Sequence, residues 1–81
     1  MSEMKFWKVK DLLELVSIGQ LIEIIFLNND FDETGAFLFE NDKHDPNYKF
    51  YEKNYSEKNI DFVSTEGEYL RIEVRLWIRK K

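Results

Sequence analysis

The decapeptide Tyr69–Ile78, YLRIEVRLWI, alternates apolar and polar side chains almost without a break. Leu70, Ile72, Val74, Leu76 and Ile78 project to one side, and Tyr69, Arg71, Glu73, Arg75 and Trp77 to the other. A period of two belongs to a β-strand, whose successive side chains point to opposite faces. One apolar face and one charged face imply a sheet packed on one side and wetted on the other, which favours antiparallel pairing. Such a strand needs pairing partners and a layer that covers its apolar face.

The remaining segments provide both. Leu21–Leu27, LIEIIFL, is rich in β-branched residues and apolar on both faces around Glu23, which predicts an interior strand. NNDFDETG follows as a loop of turn formers, and Ala36–Glu40 reads as the returning strand of a hairpin, with Phe37 and Phe39 on one side. Asn59–Ser64 alternates, placing Ile60 and Phe62 on one face, and a turn at Thr65–Glu68 offers Gly67 for a positive-φ position in a bulged hairpin loop. Near the N-terminus, Val9, Leu12, Leu13 and Val16 fall at helical spacing and predict a helix of about ten residues. Lys8 takes the cap position, Trp7 packs on Leu12 as a hydrophobic staple, and Gly19 terminates the helix. Between the hairpins, Asp45-Pro46 resembles a helix cap followed by proline at the first helical position. Tyr48, Tyr51 and Tyr55 then lie at i, i+3 and i+7, so a short helix is favoured over an irregular loop.

The expected class is therefore α+β: an N-terminal helix packed on an antiparallel sheet of about four strands, in the order helix, two strands, short helix or loop, two strands. Residues 1–81 make a single domain, since the chain is too short for two cores. Its expected core is Val9, Leu12, Leu13, Val16, Ile22, Ile24, Phe26, Phe37, Ile60, Phe62, Leu70, Ile72 and Val74.

Composition removes whole classes of chemistry. The absence of cysteine excludes a disulfide framework, a thiolate nucleophile and a cysteine zinc site together. No Walker loop, nucleophile elbow, dinucleotide fingerprint or histidine–glutamate metal motif occurs. The longest nearly apolar run, residues 21–27, is far short of a membrane span, and the charged N-terminus lacks a signal-peptide core. A cytoplasmic protein without cofactor, metal or membrane contact is expected.

Charge is distributed unevenly. Asp30, Asp32, Glu33, Glu40, Asp42 and Asp45 crowd the middle of the chain, with Lys43 as the one base between residues 30 and 45. Arg71, Arg75, Arg79, Lys80 and Lys81 make the C-terminus basic, opposed there by Glu73. The six acids are candidate partner-binding residues. The alternative surface is Arg71, Arg75, Trp77, Arg79 and Lys80, where arginine beside an aromatic side chain suits nucleic acid, although the overall charge of −4 disfavours phosphate binding. His44, the sole histidine, has only its sequence neighbours Asp42 and Asp45 to work with, and reads as a solvated loop residue. Asp30–Gly35 matches the opening of a calcium loop, but Asn41 stands where a bidentate glutamate belongs, so calcium is not expected.

The segments VKDLLELV, LIEIIF and EGEYLRIEVRL together resemble small uncharacterised proteins of prophages and phages in Gram-positive bacteria. The resemblance covers about half the chain, implies this order of elements and a phage origin, and carries no site residue. A small, acidic, aromatic-rich domain without catalytic motifs suits a non-enzymatic interaction protein, expected here as a phage accessory factor that binds and inhibits a host defence or nucleic-acid-handling protein through an acidic surface. The competing readings are a nucleic-acid-binding accessory protein that uses the basic C-terminus, and a small-ligand binder or an enzyme without recognisable motifs.

Overall fold

The computed structural model describes residues 7–75. Two helices, α1 (Val9–Leu13) and α2 (Pro46–Asn54), accompany four strands: β1 (Leu21–Leu27), β2 (Glu33–Glu40), β3 (Ile60–Glu66) and β4 (Tyr69–Arg75). The class is α+β, and the strands lie in the order β2-β1-β4-β3. Each sequential pair forms an antiparallel hairpin, β1 with β2 and β3 with β4. The two hairpins meet at the centre, where β1 and β4 run parallel with Leu21 opposite Tyr69 and Leu27 opposite Arg75. The sheet is thus mixed rather than wholly antiparallel. The alternating β4 does have an antiparallel partner in β3, but α2 carries the chain across between the hairpins and leaves β1 beside β4 as a parallel neighbour.

One sheet face holds the core. Ile22 and Ile24 from β1, Phe39 from β2, Ile60 from β3, and Ile72 and Val74 from β4 pack against Val9, Leu13 and Tyr51 of the helices. Trp7, Leu12, Val16, Phe26, Phe37 and Leu70 complete it from its margins. The apolar second face of β1 is buried as well, through Ile25 and Leu27, as its interior position requires. Phe62 is the expected core residue that fails. A register shift between Ile60 and Phe62 sets Ile60 opposite Val74 but Phe62 opposite Glu73, so a bulge at Asp61 turns Phe62 onto the other face, 57% exposed. Tyr51 and Phe39 take a larger share of the core than the sequence suggested, stacked at 4.5 Å between ring centroids.

The first helix is half the expected length. Lys8 occupies its N-cap, and the Lys8 backbone N–H donates to Asp11 Oδ2 at 3.2 Å. After Leu13 the bonds tighten to the i+3 pattern, with Leu15 N–H to Leu12 and Val16 N–H to Leu13. The buried Asn41 side chain intercepts the chain there: its amide nitrogen lies 3.3 Å from the Leu13 carbonyl oxygen and 3.2 Å from those of Val16 and Ser17. The Asn41 backbone also accepts from Gly19 N–H and donates to Gln20, fixing the same corner. Gly19 has the positive φ of 93° expected of it, but in the turn before β1 rather than at the helix end.

The second helix begins as the sequence foretold. Asp45 caps it by accepting from Asn47 N–H, Pro46 follows, and Asp45 Oδ2 also accepts from Glu40 N–H at 2.6 Å, which locks α2 to the end of β2. The second hairpin turns on two residues, Gly67 and Glu68, with Gly67 at φ 61°. This is tighter than the bulged loop expected. No helix among the described residues is long and apolar enough to cross a membrane.

Candidate functional site

The six acids of the central stretch do not form one patch. Glu33 pairs with Leu27 and Glu40 with Leu21, so they stand at opposite ends of β2, roughly 20–25 Å apart at strand rise. Asp30, Asp32 and Glu33 belong to the β1–β2 tip. Glu40, Asp42 and Asp45 belong to the turn before α2, where Asp42 Oδ1 accepts from His44 N–H at 2.9 Å and Asp45 is committed to capping. At the tip, Asn28 Oδ1 accepts from both Asp30 N–H and Asp32 N–H, and Asn28 N–H closes the loop on the Asp32 carbonyl. The braced loop holds Phe31 at φ 66°, 56% exposed, with the Arg75 guanidinium 4.2 Å from its ring centroid. Sequence reasoning misses this aromatic because a single apolar residue in a loop of turn formers carries no periodic signal.

The sheet face away from the helices is ionic at its middle and apolar at its margins. Arg71 reaches carboxylates from three elements: Glu23 at 3.3 Å, Glu33 at 3.2 Å and Glu66 at 3.1 Å. Desolvation opposes its charge, but Glu23, Glu66 and Glu33 outweigh that and hold the guanidinium above its ordinary value. Arg75 engages Asp61 at 3.2 Å besides stacking on Phe31. Leu38 on β2 and Phe62 on β3 are exposed toward the two edges. Two of the alternative nucleic-acid residues, Arg71 and Arg75, are therefore already engaged by carboxylates. The other three, Trp77, Arg79 and Lys80, lie outside the described residues.

The helix side carries a groove of about 940 Å³ between α1, the chain through Ile18, the 41–44 turn and α2. Leu13, Tyr48 and Tyr51 form its floor, and Glu14, Asp42, Glu52 and Glu57 are among the charged residues that line it. His44 lies on the groove, which is the one setting the structure gives it. Burial pushes the Tyr51 hydroxyl far above its ordinary value, with Tyr48, Glu52, Asp11 and Glu14 adding to the effect. Tyr48 is raised in the same way, by burial first and then by Glu52 and Glu14. Both phenols consequently stay protonated at physiological pH and offer an aromatic wall, not a base.

No protein-family model, curated protein or solved structure matches this chain.

Among the described residues no three His, Asp or Glu side chains converge as a metal-binding group would. The acids of the calcium-like loop are spread by its turn: Glu33 faces Arg71, while Asp30 and Asp32 extend from the tip. The described body carries fifteen Asp and Glu against eight Lys and Arg.

Proposed function

We propose that this chain is a non-enzymatic protein-binding module that recognises a basic partner through its acidic surface. The observation that carries the reading is the state of the sheet arginines. Arg71 is enclosed by three carboxylates and Arg75 is engaged by Asp61, whereas the Asp30 and Asp32 carboxylates flank an exposed Phe31 without partners among the described residues. An acidic field with an aromatic anchor supports association with a basic protein surface, where complementary charge speeds encounter and selects the partner. The phage origin implied by the resemblance, together with a small acidic domain that lacks catalytic motifs, is what extends the reading to inhibition of a host protein. Inhibition of this kind requires occupation of a surface and no chemistry.

Titration of the full chain with a small basic protein and with random-sequence DNA and RNA, across an ionic-strength series, tests the reading. Salt-sensitive binding to the basic protein, weakened by Asp30→Lys with Asp32→Lys, is expected. Tight binding to nucleic acid at physiological salt, unaffected by that double reversal, would overturn it.

A further inference from the structure

The helix layer is too short for its sheet. Five residues of α1 span about 7.5 Å and nine of α2 about 13.5 Å, whereas a seven-residue strand runs about 23 Å. Because Asn41 stops α1 at Leu13, the apolar periodicity that continues to Val16 is spent on a turn. Ile18, on the groove, is left 84% exposed. The gap holds about 940 Å³, which a cylinder of helical diameter, roughly 10 Å, fills over about two turns.

The chemistry of the gap defines its occupant. Leu13, Val16, Ile18, Tyr48 and Tyr51 give it an apolar floor and end. Glu57 is occupied by Lys10 at 2.8 Å, which leaves Glu14, Asp42 and Glu52 against Lys43 as the remaining charges. A segment laid there must present an apolar stripe inward and cations to the rim. Its walls are helices and turns, so the occupant cannot be held as an added strand.

We propose that the groove between α1 and α2 seats a basic amphipathic helix of a partner protein. The proposal rests on the acidic-binder reading above and gives that reading a specific seat, distinct from the β1–β2 tip. The partner helix completes the roof over the sheet, burying Ile18 while its lysines or arginines meet Glu14 and Glu52.

The test titrates the full chain with a helical peptide of about 18 residues carrying a leucine stripe and lysines elsewhere, with a leucine–glutamate counterpart, and with unstructured polylysine of equal charge. Saturable binding of the leucine–lysine helix, at least about tenfold tighter than polylysine and absent for the acidic counterpart, is expected. Glu14→Lys with Glu52→Lys, both exposed positions, should weaken it by about tenfold or more, and Glu14→Gln with Glu52→Gln should weaken it less. Asp30→Lys with Asp32→Lys should leave it within about twofold. Equal binding of polylysine, or loss of binding in the tip variant alone, would overturn the groove as the seat while the acidic-binder reading stands. Failure of every basic probe would remove both. Self-association that buries the groove and excludes the peptide would assign it to a second copy and overturn the proposal.

Discussion

Replacement of Asn41 probes the corner on which the fold and the groove both depend. Its amide nitrogen has two N–H donors and three carbonyl oxygens within 3.3 Å, so two bonds are satisfied at once and the third contact is shared. Leu13 also accepts from Val16 N–H, and Ser17 from Gln20 N–H, whereas the Val16 carbonyl has no second donor among the described residues. Asn41→Ala therefore forfeits two hydrogen bonds at about 1 kcal/mol each and strands one half-buried carbonyl, for a loss of about 2–3 kcal/mol. That is a large share of the roughly 4–12 kcal/mol expected of a domain this size, and corresponds to a fall of roughly 10–20 °C in Tm. Asn41→Asp keeps the shape and removes the donors. At neutral pH its carboxylate faces carbonyl oxygens and should cost more than alanine. Its folded pKa is then raised above the unfolded value, so stability is recovered as pH falls through that raised value and the protonated acid donates. Urea unfolding of the three proteins between about pH 4 and 7 measures both effects. An aspartate variant as stable as the parent at pH 7, or with the parent's pH profile, would refute the role of the amide as donor.

Two further perturbations report on other parts of the molecule. Ile60→Ala should cost about 2–5 kcal/mol while Phe62→Ala stays within about 0.5 kcal/mol, because the bulge separates a buried residue from an exposed one; equal costs in chemical denaturation would remove the bulge. The exposed Lys10–Glu57 pair has a pH signature. The hydrogen bond from Lys10 holds Glu57 below the usual carboxylate range, so its contribution is complete above that range and lost as pH falls through the folded value. The same hydrogen bond holds Lys10 above its ordinary value, so that contribution is complete below the ordinary value and lost as pH rises through the raised one. Glu57→Gln should thus melt below the parent at neutral pH and low salt and converge with it once pH falls below the folded value of Glu57; parallel melting curves across that fall would contradict the pairing.

Strand identities were legible because they are written locally. Apolar residues on both faces of LIEIIFL placed β1 inside the sheet, and Asp45-Pro46 announced α2 through a cap that acts within two residues. Features decided at a distance were not legible. Nothing near Leu13 signals the end of α1, since its terminator is a side chain 28 positions away. The alternation of Ile60 and Phe62 is intact in the sequence and broken only by the pairing with β4. Arg71 and Arg75 are visible in the sequence as bases on a strand's polar face, but their partners Glu23, Glu33, Glu66 and Asp61 are set by the register, which brings them from other elements. The groove likewise has no sequence signature, because it is the space left by a helix that stops early.

The parallel seam between β1 and β4 has a kinetic consequence. Each hairpin joins neighbours in sequence and closes a short loop, an event of about 1–10 μs for an isolated hairpin. The seam joins Leu21 to Tyr69 and cannot zip until α2 has carried the chain across, so its closure entropy falls due before its contacts reward it. Folding should be limited by the docking of two preformed hairpins, and mutations along the seam should slow it more than mutations in either turn. Until docking, β1 and β4 each present an unpaired edge. At high concentration the nearest complementary edge can belong to another molecule, and the seam that closes the monomer is then the line along which two chains exchange hairpins.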